Sequence, residues 1–164
     1  MEDQRVVAVG IGELYVTKDT SLVLAAYGLG SCVGVSVYDP AIKAGGLAHV
    51  LLPSSAQANQ ETSGNRFADV AVPSLVQKLL DLGAKRKNLI CKIAGGAQTL
   101  VVPGHSNGFR IGERNVEAVR EALRILGIVP SALDTGGSRG RTVRLFMDTG
   151  KVFVRIVGKE DVEL

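Results

Sequence analysis

The stretch Gly28-Leu29-Gly30-Ser31-Cys32-Val33-Gly34-Val35-Ser36-Val37-Tyr38-Asp39-Pro40, with Leu47-Ala48-His49-Val50-Leu51-Leu52-Pro53 after it, decides how this chain is read. Val33, Val35 and Val37 alternate with Gly34, Ser36 and Tyr38, and a period of two marks a half-buried strand. Gly45 to Leu52 supplies a second apolar run, and the Asp39-Pro40 turn lies between the two. Antiparallel pairing centred on Pro40-Ala41 sets Val33 opposite Ala48 and Cys32 opposite His49. Directly opposed β-carbons lie ~4.5–5.5 Å apart, close enough for a thiol to meet an imidazole. A slip of one residue would send the two to opposite faces.

That pairing gives the stretch its chemistry. Cys32 follows a turn of small residues, where glycine admits another backbone closely and leaves N–H groups near Gly30 and Ser31 for an oxyanion. A free thiol titrates at about 8.5, and a neighbouring imidazolium lowers that value toward the nucleophilic thiolate. Alone, Cys32 also suits a buried structural thiol, and His49 a satisfied core histidine. Placed across one hairpin, they favour function. Cys91, in Ile90-Cys91-Lys92-Ile93, reads as a structural strand thiol, and His105 as a solvated loop residue.

Outward from the hairpin, Val6 to Tyr15 and Ser21 to Tyr27 have strand character, and so do Leu89 to Ala94, Ser131 to Thr135, Thr142 to Asp148 and Lys151 to Val157. Asp148-Thr149-Gly150 suits a tight hairpin turn. Val72, Leu75, Val76, Leu79 and Leu80 form a helical stripe that Gly83 would cap; Pro73 belongs in the first turn or kinks the helix. Val116, Val119, Leu123 and Leu126 form a second stripe, stopped by Gly127. The polar loop from Pro53 to Arg66 is long enough to gate a site. A helix, a Leu-Gly pair, a strand and a Gly-Gly pair recur twice, ending at Gly95-Gly96 and Gly136-Gly137. With no linker or low-complexity segment, residues 1–164 read as a single domain.

Composition removes several function classes. The chain has 164 residues, 46% hydrophobic and 21% charged, which suits a globular domain and excludes a disordered one. Two cysteines without a CxxC pair argue against a zinc ribbon or a disulfide framework, and the expected compartment is the cytoplasm. Thr20 to Tyr38 carries no charge until Asp39, yet its glycines and serines break it, so no membrane anchor is expected. The polar, acidic start is unlike a signal peptide. There is no GxxxxGK[ST], and two distant histidines give no metal spacing. The net charge is +3, and Lys85-Arg86-Lys87 and Arg139, Arg141, Arg144 form basic clusters. Without interleaved aromatics they read as a solvated face, and nucleic acid is not an expected partner.

Gly28-Leu29-Gly30-Ser31-Cys32-Val33, Ala48-His49-Val50-Leu51-Leu52-Pro53, Phe67-Ala68-Asp69, Lys92-Ile93-Ala94-Gly95-Gly96-Ala97, Ile111-Gly112-Glu113-Arg114-Asn115 and Asp134-Thr135-Gly136-Gly137 together resemble the CheD family of chemoreceptor glutamine deamidases, over about residues 6 to 157. The resemblance implies an α/β (α+β) fold in which packed β-sheets are flanked by helices, as in deamidating toxins. It implies a Cys–His–Thr set, carried over to Cys32 and His49, and no cofactor. The family's threonine stands six residues before the cysteine, where this chain has Ala26. A threonine there would orient the imidazole. With Ala26, either another group orients His49 or activity falls, and Ser36 is a candidate substitute. The implied partners are the cytoplasmic helices of chemotaxis receptors and the CheC phosphatase. A non-catalytic module binding either one is the rival reading, as is a thiol peptidase or amidase of small substrates.

Overall fold

The computed structural model describes residues 4–57, 64–99 and 110–164. The chain first lays down β1 (Arg5–Ala8), β2 (Leu14–Thr17), β3 (Leu22–Leu29), β4 (Val33–Asp39) and β5 (Ala44–Val50). Helix α1 (Ala68–Asp81), β6 (Ile90–Gly95), α2 (Ile111–Ile125) and β7 (Ala132–Thr135) follow. The chain ends in β8 (Arg141–Phe146), β9 (Val152–Ile156) and β10 (Val162–Glu163). One sheet has the order β1-β3-β8-β9-β10, the other β2-β5-β4-β6-β7.

The second sheet is the middle layer. Its outer face, with Val33, Val35, Val37, Ala48 and Val50, packs on Ala71, Val72, Leu75 and Leu79 of α1 and on Val119 and Leu123 of α2. Its inner face, with Tyr38, Leu47, Ala94 and the Cys32 end, packs on Leu22, Leu24, Ala26, Val143, Leu145 and Val154 of the first sheet. Burying each large aliphatic side chain is worth roughly 1.5–3 kcal/mol, so two such interfaces hold the three layers together. This is the expected α+β architecture of packed sheets with helices outside.

Several local expectations change. Every residue of β4 is buried, so the glycine and serine positions of its alternation face the first sheet rather than water. The hairpin pairs two residues out of the expected register, its centre moving from Pro40-Ala41 to Ala41-Ile42: Gly34 faces His49 and Val33 faces Val50. Asp39 Oδ1 accepts the Ala41 N–H, and Lys43 adopts a φ of 51°, so residues 40–43 form the turn. The run from Val6 to Tyr15 is two strands in different sheets, separated at Gly10-Ile11-Gly12. Helix α1 begins upstream of its apolar stripe, because the Ala68 N–H bonds the Leu52 carbonyl and Phe67 bridges Leu52. Pro73 thus lies in the second turn, beyond the expected first. The Gly-Gly ends of the two similar units come together, since β6 and β7 pair in parallel. Residues 58–63 of the polar loop and His105 lie outside the described residues.

Candidate active site

Cys32 is buried in the inter-sheet cluster, on the turn between β3 and β4. Three donors hold the carbonyls of that turn. The Ala97 N–H bonds Gly30 O at 2.7 Å, Asn115 Nδ2 bonds Ser31 O at 2.9 Å, and the Gly96 N–H bonds Cys32 O at 2.8 Å. In trans peptides the N–H points away from the carbonyl. The amides of Ser31 and Cys32 are therefore directed away from these supports. Helix α2 comes close enough to help because Gly112 lacks a side chain: a Cβ there would lie 2.6 Å from the Ala97 carbonyl oxygen. Asn115, one turn on, is fully buried and also bonds Leu51 O at 2.9 Å. It thereby ties the Cys32 turn to the end of the His49 strand.

His49 lies on β5 and is 2% exposed. The register shift of two residues preserves the face, so Cys32 and His49 remain on the same inner side of the sheet. Carried one step past the last pair, Val33 and Val50, the register makes them diagonal rather than directly opposed, a spacing of roughly 7–8 Å between backbone positions. Gly34, directly opposite His49, puts no side chain between them.

The imidazole has a fixed tautomer. Nδ1 lies 3.0 Å from the Val9 carbonyl oxygen, which can only accept, so Nδ1 carries the proton. In the neutral ring Nε2 then bears the lone pair; it is buried and has no hydrogen-bond partner among the described residues. Burial lowers the His49 pKa, while the Val9 carbonyl and the Glu13 charge act to raise it. Burial raises the Cys32 pKa, opposed by its own backbone N–H. Both effects favour an uncharged thiol and an uncharged ring at rest.

The residue standing where the family resemblance calls for threonine, Ala26, is buried in the same inter-sheet cluster as Cys32. The group on Nδ1 is the Val9 main chain, and Ser36 lies opposite Leu47 instead. Sequence reasoning missed this contact because a carbonyl belongs to every residue. It missed Asn115 as a support as well, although Ile111-Gly112-Glu113-Arg114-Asn115 stood out as a motif. Cys91 packs on the helical side of the sheet, fully buried, and is pushed up to about 12. Arg141, expected on a solvated basic face, is 4% exposed. Among the described residues no group of His, Cys, Asp and Glu could hold a metal ion, and no helix is long and apolar enough to cross a membrane. The open cleft bounded by Arg120, Arg124, Ile128 and Val129 lies around the far end of α2.

A two-sheet α+β fold with a thiol and an imidazole on one inner face defines the class of chain. The family model described as CheD chemotactic sensory transduction matches residues 51–156. A protein of Symbiobacterium thermophilum is 46% identical over 165 residues, covering 100% of both chains. One from Caldanaerobacter subterraneus is 40% identical, covering 95% of this chain and 96% of its own. One from Clostridium botulinum is 42% identical with the same coverage. All three bear the name "Probable chemoreceptor glutamine deamidase CheD". A solved structure, the Bacillus licheniformis hypothetical protein YfiH, aligns with a TM-score of 0.46 and 16% identity over 84% of this chain and 60% of that one. The chain belongs to the CheD family.

Proposed function

We propose that the protein is a chemoreceptor glutamine deamidase acting through Cys32 and His49. The observation that carries this reading is the state of His49. Its Nδ1–H is held by the Val9 carbonyl, and its Nε2 is a buried lone pair on the face shared with Cys32. Family membership and the names of the relatives support the substrate class.

In the first half of the reaction, Nε2 accepts the Cys32 thiol proton as Sγ attacks the side-chain carbonyl carbon of a receptor glutamine. The carbonyl electron pair moves to oxygen, where the Ser31 and Cys32 N–H groups stabilise it. Collapse expels the amide nitrogen, which takes the proton from Nε2 and leaves as ammonia. A thioester remains. In the second half, Nε2 removes a proton from water, the hydroxide attacks the thioester, and Sγ leaves with that proton. The products are glutamate and ammonia, with no net redox change. A glutamyl methyl ester suits the same steps with methanol leaving.

The new carboxylate adds charge to a receptor helix, where like charges one turn apart are mutually unfavourable. The site then works in the cytoplasm, with CheC as a further partner. The adaptor reading drew on the missing threonine, and the Val9 carbonyl on Nδ1 takes away that motive. The test is incubation with a receptor cytoplasmic fragment and mapping of Gln-to-Glu conversion by mass spectrometry. Cys32→Ala should abolish conversion with an unchanged circular dichroism spectrum, and Cys91→Ala should retain it. Conversion surviving in Cys32→Ala would overturn the reading.

A further inference from the structure

The Val9–Gly10 peptide is bonded at both ends. Its carbonyl accepts the His49 Nδ1–H at 3.0 Å, and its N–H donates to Glu13 Oε2 at 2.9 Å. The carboxylate, the amide and the imidazole thus form one line. We propose that Glu13 is a positioning residue for His49, acting through the Val9–Gly10 peptide. This inference rests on His49 being the base of the proposed reaction.

The local structure is built for this arrangement. The Glu13 N–H closes a turn on Gly10 O at 2.9 Å, and Gly12, at the third position, has a φ of 75° that a side chain would strain. Two more bonds lock the turn to the histidine strand: Gly12 N–H to His49 O and His49 N–H to Glu13 O, each 3.0 Å. On the other side, the Val9 N–H, in the preceding peptide, bonds Ala25 O of β3 at 2.7 Å, so the first sheet anchors Val9 while the histidine strand anchors the turn that follows it. A carboxylate accepting from an amide N–H polarises it, which makes the carbonyl at its other end a stronger acceptor. A stronger acceptor on Nδ1 makes Nε2 more basic and holds the ring in one orientation, the service a buried carboxylate performs directly in a serine-type triad.

The Glu13 charge acts on His49 in the same direction, raising its pKa against burial. The other ionisable groups around the turn are the Cys32 thiol on the shared face and Arg66, whose side chain lies against Gly12. Neither contacts the Val9–Gly10 peptide through a hydrogen bond among the described residues.

The test compares Glu13→Gln, Glu13→Ala and His49→Gln in the full chain. Gln can still accept the Gly10 N–H, so it preserves the turn and removes only the charge. NMR titration follows the imidazole resonance that vanishes in His49→Gln. In Glu13→Gln the His49 pKa should fall, the acid limb of kcat/KM should move the same way, and thermal stability should stay near that of the native protein. Glu13→Ala should lose about one to two orders of magnitude in kcat, part of the ~10²–10⁴-fold that a positioned base supplies. A native His49 pKa and a native pH profile in Glu13→Gln would overturn the inference, for a merely structural glutamate is replaced by Gln without such changes. If His49→Gln is inactive while Glu13→Gln is unaltered, the base assignment stands and only Glu13 falls. If His49→Gln keeps full activity, both fall.

Discussion

Because burial disfavours the His49 imidazolium, protons bind the unfolded chain more readily than the folded one between the depressed native value and the ordinary histidine value of 6.5. Folding stability therefore rises with pH through that window and is lost as pH falls across it. Cys32 works at the other extreme. Burial raises its thiol in the folded state, so its contribution is complete below the ordinary thiol value and is lost as pH climbs through the raised native one. Thermal melts at graded pH should show the acid loss in the native protein and a smaller one in His49→Gln; equal slopes would contradict a buried neutral ring. A second expectation concerns Ala26, which is fully buried in the inter-sheet cluster. Ala26→Thr adds two heavy atoms there and should cost ~1–3 kcal/mol by overpacking. It should bring no gain in kcat, since Nδ1 already has its acceptor; a clear gain would mean that the Val9 contact orients the ring poorly.

Helix α2 carries a side chain, Asn115, that bridges the two ends of the site. Asn115→Ala would leave Ser31 O and Leu51 O without their buried donor, at ~1–3 kcal/mol for each carbonyl. The Cys32 turn should loosen as well, so kcat should fall along with the melting temperature. Asn115→Asp should be worse than Ala, because it sets carboxylate oxygens against two carbonyls. A native melting temperature and kcat in Asn115→Ala would show that the turn is held without it. At this scale the two helices and most strands were legible, because their periodicity is written in neighbouring residues. The hairpin register was not. It turned on the Asp39 bond to Ala41 and the positive φ of Lys43, which lengthened the turn past Pro40-Ala41. The short β10 carries too few residues for a periodic signal.

Across the whole molecule, the two sheets are clasped at one edge by Arg141. It points inward from β8 with Val143 and Leu145 and bonds Asp134 O at 2.6 Å, Asp134 Oδ1 at 2.8 Å and Gly136 O, at the exit of β7. That exit in turn supports the Cys32 turn, since Gly137 O accepts the Gln98 N–H next to Ala97. Removing one partner of a buried ion pair typically costs ~3–5 kcal/mol. Arg141→Met should therefore lower the unfolding free energy by about that much in urea titration, and a loss below ~1 kcal/mol would place little weight on the clasp. Asp134 is already partly exposed in the native pair, which keeps the expected cost at the lower end.

Local sequence alone determined the strand at Val33–Tyr38, the two helical stripes, and the common face of Cys32 and His49. That common face survived a two-residue error in register because side chains alternate with a period of two. Tertiary structure decided what lies against that face. It covered the small residues of β4 with a second sheet, brought the Val9 carbonyl onto an imidazole 40 residues away, and set Asn115 on a carbonyl 84 residues away. These contacts join positions far apart in the chain, and one of them uses only a main-chain oxygen. No residue type or spacing announces such an atom; it acquires a role only when both sheets fix where that one peptide points.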